Sequence, residues 1–84
     1  MSFSKENAKA KKVWFDDLNM WILFEDGRQL SVPKVYFESL KQASEEQLNN
    51  YELIGGGIGI HWEDLDEDLY VPNLLLSVNS REIA

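Results

Sequence analysis

Apolar and polar positions alternate in short runs over the first third of the chain. From Ala10 to Asp16, Val13 and Phe15 fall on one side and Lys12 and Trp14 on the other, which is the period of a strand. Met20 to Phe24 is apolar on both sides and suits a central strand. Arg28 to Val32 alternates again, with Leu30 and Val32 inward. The separators have turn chemistry. In Asp16-Asp17-Leu18-Asn19 the Asp and Asn side chains can bond their own backbone, and Asp26-Gly27 is a hairpin signal because both residues tolerate positive φ. Pro33 has no amide to donate and ends the ladder. A three-stranded antiparallel meander is therefore expected here.

After Pro33 the period changes. Tyr36, Phe37 and Leu40 recur at helical spacing. Ser44-Glu45-Glu46-Gln47 reads as a capping box, in which the Ser44 hydroxyl accepts from the Gln47 amide and the Gln47 side chain reaches back. A helix, a break at Ala43–Ser44 and a second helical turn follow, laying Phe37, Leu40 and Leu48 on one face of the sheet. Tyr51 to Ile54 is strand-like, Gly55-Gly56-Gly57 breaks regularity, and Ile58, Ile60 and Trp62 alternate with His61 on the opposite side. Leu69-Tyr70-Val71 is a last strand candidate, and Asn73 to Leu76 a covering helical turn. The predicted class is α+β: a small antiparallel sheet, the N-terminal meander plus one or two later strands, packed on one or two short helices. Residues 1–84 form one domain, with 1–8 and 77–84 expected to be flexible ends.

Composition narrows the function. The chain has 84 residues, a net charge of −7 and no cysteine. Disulfides and thiolate metal sites are excluded, and a reducing compartment fits. Lys5, Lys9, Lys11 and Lys12 precede no apolar h-region, so no secretory signal is read, and no apolar run nears the ~20 residues of a membrane span. A cytoplasmic location is expected. Binding nucleic acid requires cations that displace counterions from phosphates, and eight Lys and Arg against fifteen acids disfavour it. The same balance favours a basic protein partner, because opposite potentials speed encounter.

Candidate chemistry concentrates between Gly55 and Asp68. Gly55-Gly56-Gly57-Ile58-Gly59 is rich enough in glycine to cradle phosphate, but no Lys follows and strand formers come next, so a bulge or sharp turn is the better expectation. Asp64, Asp66 and Asp68 have the spacing that opens an EF-hand loop, yet Leu69 and Leu75 stand where Gly and the bidentate Glu are needed. His61 is the one side chain that titrates near neutrality, and it lies among carboxylates. No nucleophile accompanies it, so neither an enzyme nor a catalytic residue is expected, and no cofactor. One His with carboxylates is thin for zinc.

Trp14-Phe15-Asp16, Asp26-Gly27-Arg28, Val32-Pro33, Ala43-Ser44-Glu45-Glu46-Gln47, Asn50-Tyr51-Glu52-Leu53 and the run from Gly55 to Asp68 resemble the small bacterial family called domain of unknown function 2442. The resemblance covers about Ala10 to Leu76. It implies an α+β fold with a small sheet and a helix. By the same resemblance, some members stand alone and others precede a helix-turn-helix DNA-binding domain, and stand-alone members are often encoded beside a small partner protein in pairs that look like toxin–antitoxin modules. The family has no established activity and lends no catalytic residue.

The expected function is thus a protein-binding module, the antitoxin-like or regulatory partner of a small basic protein. Its contact surface is expected at Trp62, Glu63, Asp64, Asp66, Glu67 and Asp68, with Trp62 as the aromatic anchor. The alternative is a ligand- or metal-binding regulatory domain using Gly57, Gly59, His61 and the aspartates. An uncovered sheet edge leaves a homodimer by strand pairing open.

Overall fold

The computed structural model describes residues 8–75. Strands β1 (Ala10–Phe15), β2 (Asn19–Phe24) and β3 (Gln29–Pro33) form an antiparallel meander with β2 in the centre. Asp16 builds the first turn. Its Oδ1 accepts from the Leu18 and Asn19 amides at 2.9 and 2.7 Å, and its Oδ2 accepts from Trp21 Nε1 at 2.8 Å. The second turn differs from the expected two-residue type. Only Gly27 has positive φ, and the Phe24 amide donates to the Arg28 carbonyl at 2.8 Å across a three-residue loop. This loop uses one left-handed residue and lets Asp26 keep ordinary backbone angles while it caps the Arg28 amide. Pro33 pairs with Asn19 as the last rung.

A 3-10 turn (Lys34–Tyr36) leads to α1 (Glu38–Gln42), with Phe37 extended between them. The helical spacing from Tyr36 to Leu40 is therefore split at Phe37 rather than carried by one helix. Ser44 then caps α2 (Glu45–Asn49) with both bonds of the capping box formed. Leu40 and Leu48 are buried in the core cluster, and Phe37, partly buried, packs against that cluster.

The later strands number three and make a sheet of their own: β4 (Tyr51–Ile54), β5 (Gly59–Trp62) and β6 (Glu67–Tyr70), antiparallel with β5 central. Asp66, at φ 52, closes the β5–β6 turn. A helical segment begins at 71 and runs to 75, the last described residue. Among the described residues no helix is long and apolar enough to cross a membrane. The inward residues of both sheets form one core cluster that includes Val13, Met20, Ile22, Ile60, Trp62 and Leu69. Ala8, expected in a frayed end, is buried in it. The other residues of the two expected flexible ends lie outside the described residues.

The two sheets meet along the free edge of β1. Lys11 is an extra residue against β2, since Ala10 pairs with Phe24 and Lys12 with Leu23. A bulge of this kind bends its strand and re-aims backbone groups. The Ala10 amide donates to the Gly57 carbonyl at 2.7 Å, and the Val13 amide donates to Tyr51 Oη at 3.1 Å. Gly57 has φ +105, and a Cβ there would collide with the Ala10 carbonyl oxygen and lie 2.9 Å from its nitrogen. Both backbone angle and contact require glycine.

Gly57→Ala should accordingly cost about 3 kcal/mol, combining left-handed strain with a backbone collision, and lower Tm by more than about 10 °C. Gly56→Ala is the control. Its φ is +73 but nothing lies within 4 Å, so only the strain of about 1–2 kcal/mol remains. Thermal unfolding of the two variants checks the difference.

Candidate functional site

The second sheet has one face in the core and one outside. Alternation sends Leu53, Ile60, Trp62 and Leu69 inward and Glu52, Ile54, His61, Asp68 and Tyr70 outward. Register lines the outward residues up in two rows. Glu52 pairs with His61, which pairs with Asp68. Ile54 pairs with Gly59, which pairs with Tyr70. The first row is ionisable. The second is apolar, with Ile54 44% and Tyr70 50% exposed. Gly59 contributes no side chain between them, and Ile54 leans into the gap, so that a Cβ on Gly59 would come 2.9 Å from Ile54 Cγ1.

His61 Nδ1 lies 2.5 Å from Asp68 Oδ1. The bond to Asp68 holds the His61 pKa above its ordinary value, partial burial opposes this, and the charges of Asp68, Glu52 and Glu63 add to the rise. Asp68 keeps most of its carboxylate in solvent. The pair sits on an open strand surface. A groove of about 780 Å³ between the β1–β2 turn and α2 is lined by Phe15, Asp17, Lys34, Glu45 and Leu48 among others and contains none of the residues expected to contact a partner or ligand.

The expected contact surface is divided by the fold. Trp62, an outward anchor by its sequence context, is instead fully buried, with Nε1 donating to the Leu48 carbonyl at 2.9 Å and its ring set edge-on against Phe15. The physical reason is the inward alternation of β5, which places the indole over a helix end that needs a donor. Glu67 lies on the same inward side, half-buried, and accepts from Ser39 Oγ, so it fastens α1 to β6 instead of facing a partner. Glu63, Asp64 and Asp66 are exposed in the β5–β6 turn, with Asn50 Nδ2 donating to Asp64 Oδ2 at 3.2 Å. Asp68 is outward beside His61. Gly57 and Gly59, expected as an alternative ligand loop, are both buried, and the space over each is taken by the chain's own atoms. Among the described residues no group of three or more His, Cys, Asp and Glu side chains is placed to hold a metal ion. Glu52, Ile54 and Tyr70 were missed, although the period-two alternation of 51–54 and 67–70 carries them.

The model of the family described as protein of unknown function (DUF2442) matches residues 10–79. The chain belongs to this family. No curated protein matches it. Two solved structures resemble it. A protein of unknown function from Rhodospirillum rubrum ATCC 11170 is 33% identical, with 83% of this chain and 87% of that one covered and a TM-score of 0.74. An uncharacterised protein from Chromobacterium violaceum is 23% identical, with 86% and 68% covered and a TM-score of 0.72, a likeness of fold. The family match thus agrees with the segment that carries the resemblance, including the Gly-His-Trp-acidic run.

The His61–Asp68 bond has a pH signature. Because the folded pKa of His61 is raised, its contribution to stability is present in full below the unfolded value and is lost as pH rises through the folded value. The Tm difference between wild type and Asp68→Asn should therefore be largest in mildly acid solution and shrink towards alkaline pH. Thermal scans across neutrality, with the imidazole titration followed by NMR, check it.

Proposed function

We propose that this chain is a protein-binding module that takes a basic partner on the outer face of β4–β5–β6, acting as the regulatory, antitoxin-like member of the pair. The observation that carries the reading is the juxtaposition on one open face of two exposed apolar side chains, Ile54 and Tyr70, with Glu52 and Asp68 one register step away. Tyr combines apolar area with a polar tip and is favoured at interface hot spots. The flanking carboxylates supply orientation and encounter rate more than affinity.

Charge distribution supports the same face. Residues 42–75 hold eight acids and no lysine or arginine, whereas residues 8–41 hold five acids and six cations. A cationic protein approaching the molecule is steered towards the half that contains β4–β5–β6. Glu63, Asp64 and Asp66 extend the negative field at the end of the face. Trp62 and Glu67 contribute from within by holding β5 and β6 in place.

Purification from the native host under mild cross-linking, followed by titration of the purified partner, tests the reading. Tyr70→Ala should weaken binding about tenfold or more, and Glu52→Gln with Asp68→Asn about three- to tenfold, the latter mainly through slower association at low salt. Asp17→Asn with Glu45→Gln removes the same charge from the groove between the β1–β2 turn and α2 and should leave affinity unchanged. A partner whose affinity follows net charge alone, or that ignores Tyr70, contradicts the proposal.

A further inference from the structure

His61 occupies the centre of the proposed face, on the middle strand, directly across from Glu52 on β4 and Asp68 on β6. Glu63 follows beyond the end of its own strand. The neighbours of His61 on the same strand, Ile60 and Trp62, face the core. Among the described residues the charged groups that act on the imidazole, Asp68, Glu52 and Glu63, are all carboxylates, and Asp68 is in contact with it. A cation arriving on this face seeks the same oxygen atoms that His61 already holds.

We propose that His61 makes the face a proton-gated binding surface, in which the protonated imidazole competes with a lysine or arginine of the partner for Asp68 and Glu52. This rests on the basic-partner reading and adds its regulation. With His61 neutral, the row carries two negative charges from Glu52 and Asp68. With His61 protonated, one of the two is compensated internally, and an incoming cation meets a like charge at close range. Binding of a cationic segment therefore strengthens as pH rises through the titration of His61. The raised pKa of the histidine brings that titration towards neutral pH. Linkage requires the reciprocal effect: a bound cation disfavours the imidazolium, lowers the His61 pKa and releases a proton.

The experiment uses the full chain and an N-acetylated, C-amidated oligolysine peptide. Affinity is measured by calorimetry at low salt between about pH 5.5 and about pH 8, where carboxylates and lysines hold constant charge. The wild type should bind about three- to tenfold more tightly at the upper limit, as expected for one charge removed beside a surface contact. His61→Gln should bind at all pH values with the slope abolished, and His61→Lys should bind weakly at all of them. Glu52→Gln with Asp68→Asn should weaken binding, which places the peptide on this face. The imidazole NMR titration of the wild type should move to lower pH when peptide is added. Peptide binding that depends on Glu52 and Asp68 but is equally strong at every pH overturns the gate and leaves the basic-partner reading intact. No binding at any pH, or binding indifferent to Glu52 and Asp68, overturns both.

Discussion

The close approach of β1 to the glycine turn after Ile54 is the contact on which the rest of the molecule depends. Each three-stranded meander is shorter than the roughly 40 residues below which a chain seldom buries enough surface to fold alone. The two become one body where the Ala10 amide reaches the Gly57 carbonyl, with the Tyr51 hydroxyl taking the Val13 amide further along. The bulge at Lys11 frees β1 to make this turn, and glycine at 57 removes the side chain that would hold the backbones apart. An edge strand that would otherwise be open to pairing with another chain is covered by the same contact.

From that join the interior follows. With β1 docked against the second sheet, Phe15 meets Trp62 edge-on, and the Trp62 indole reaches across to the last turn of α2. The Leu48 carbonyl accepts its N–H, so neither polar group is buried unpaired. Ser39 and Glu67 fasten α1 to β6 on the same side. Once Trp62 faces inward, strand alternation fixes His61, Asp68, Glu52, Ile54 and Tyr70 on the other surface. The exposed face is a geometrical consequence of the core.

Much of the frame was legible in the chain. The three N-terminal strands, the Ser44 capping box and the strand starting at Tyr51 follow from local rules, and the structure has them at nearly the expected residues. The site was less legible. Alternation says that His61 and Trp62 face opposite ways, but not which of them faces the core. The acids that follow Trp62 in sequence suggest a surface position, whereas its hydrogen-bond partner is 14 residues earlier and comes near only through folding. The split of the acidic run has the same origin: Glu67 and Asp68 are neighbours in sequence and lie on opposite faces of β6. The second sheet was foreshadowed by three strand-like segments. Its docking against the first depends on the Lys11 bulge and on Gly57, which act through backbone atoms and leave no hydrophobic pattern.

Hydrogen exchange at the Ala10 and Val13 amides tests the central claim most directly. If the two sheets are locked at this seam, both amides exchange only through global unfolding, with the same free energy as the amides of the central strands β2 and β5. Exchange at the rate of an open edge strand, while β2 and β5 stay protected, would mean that the sheets part without unfolding and that the seam does not hold the molecule together.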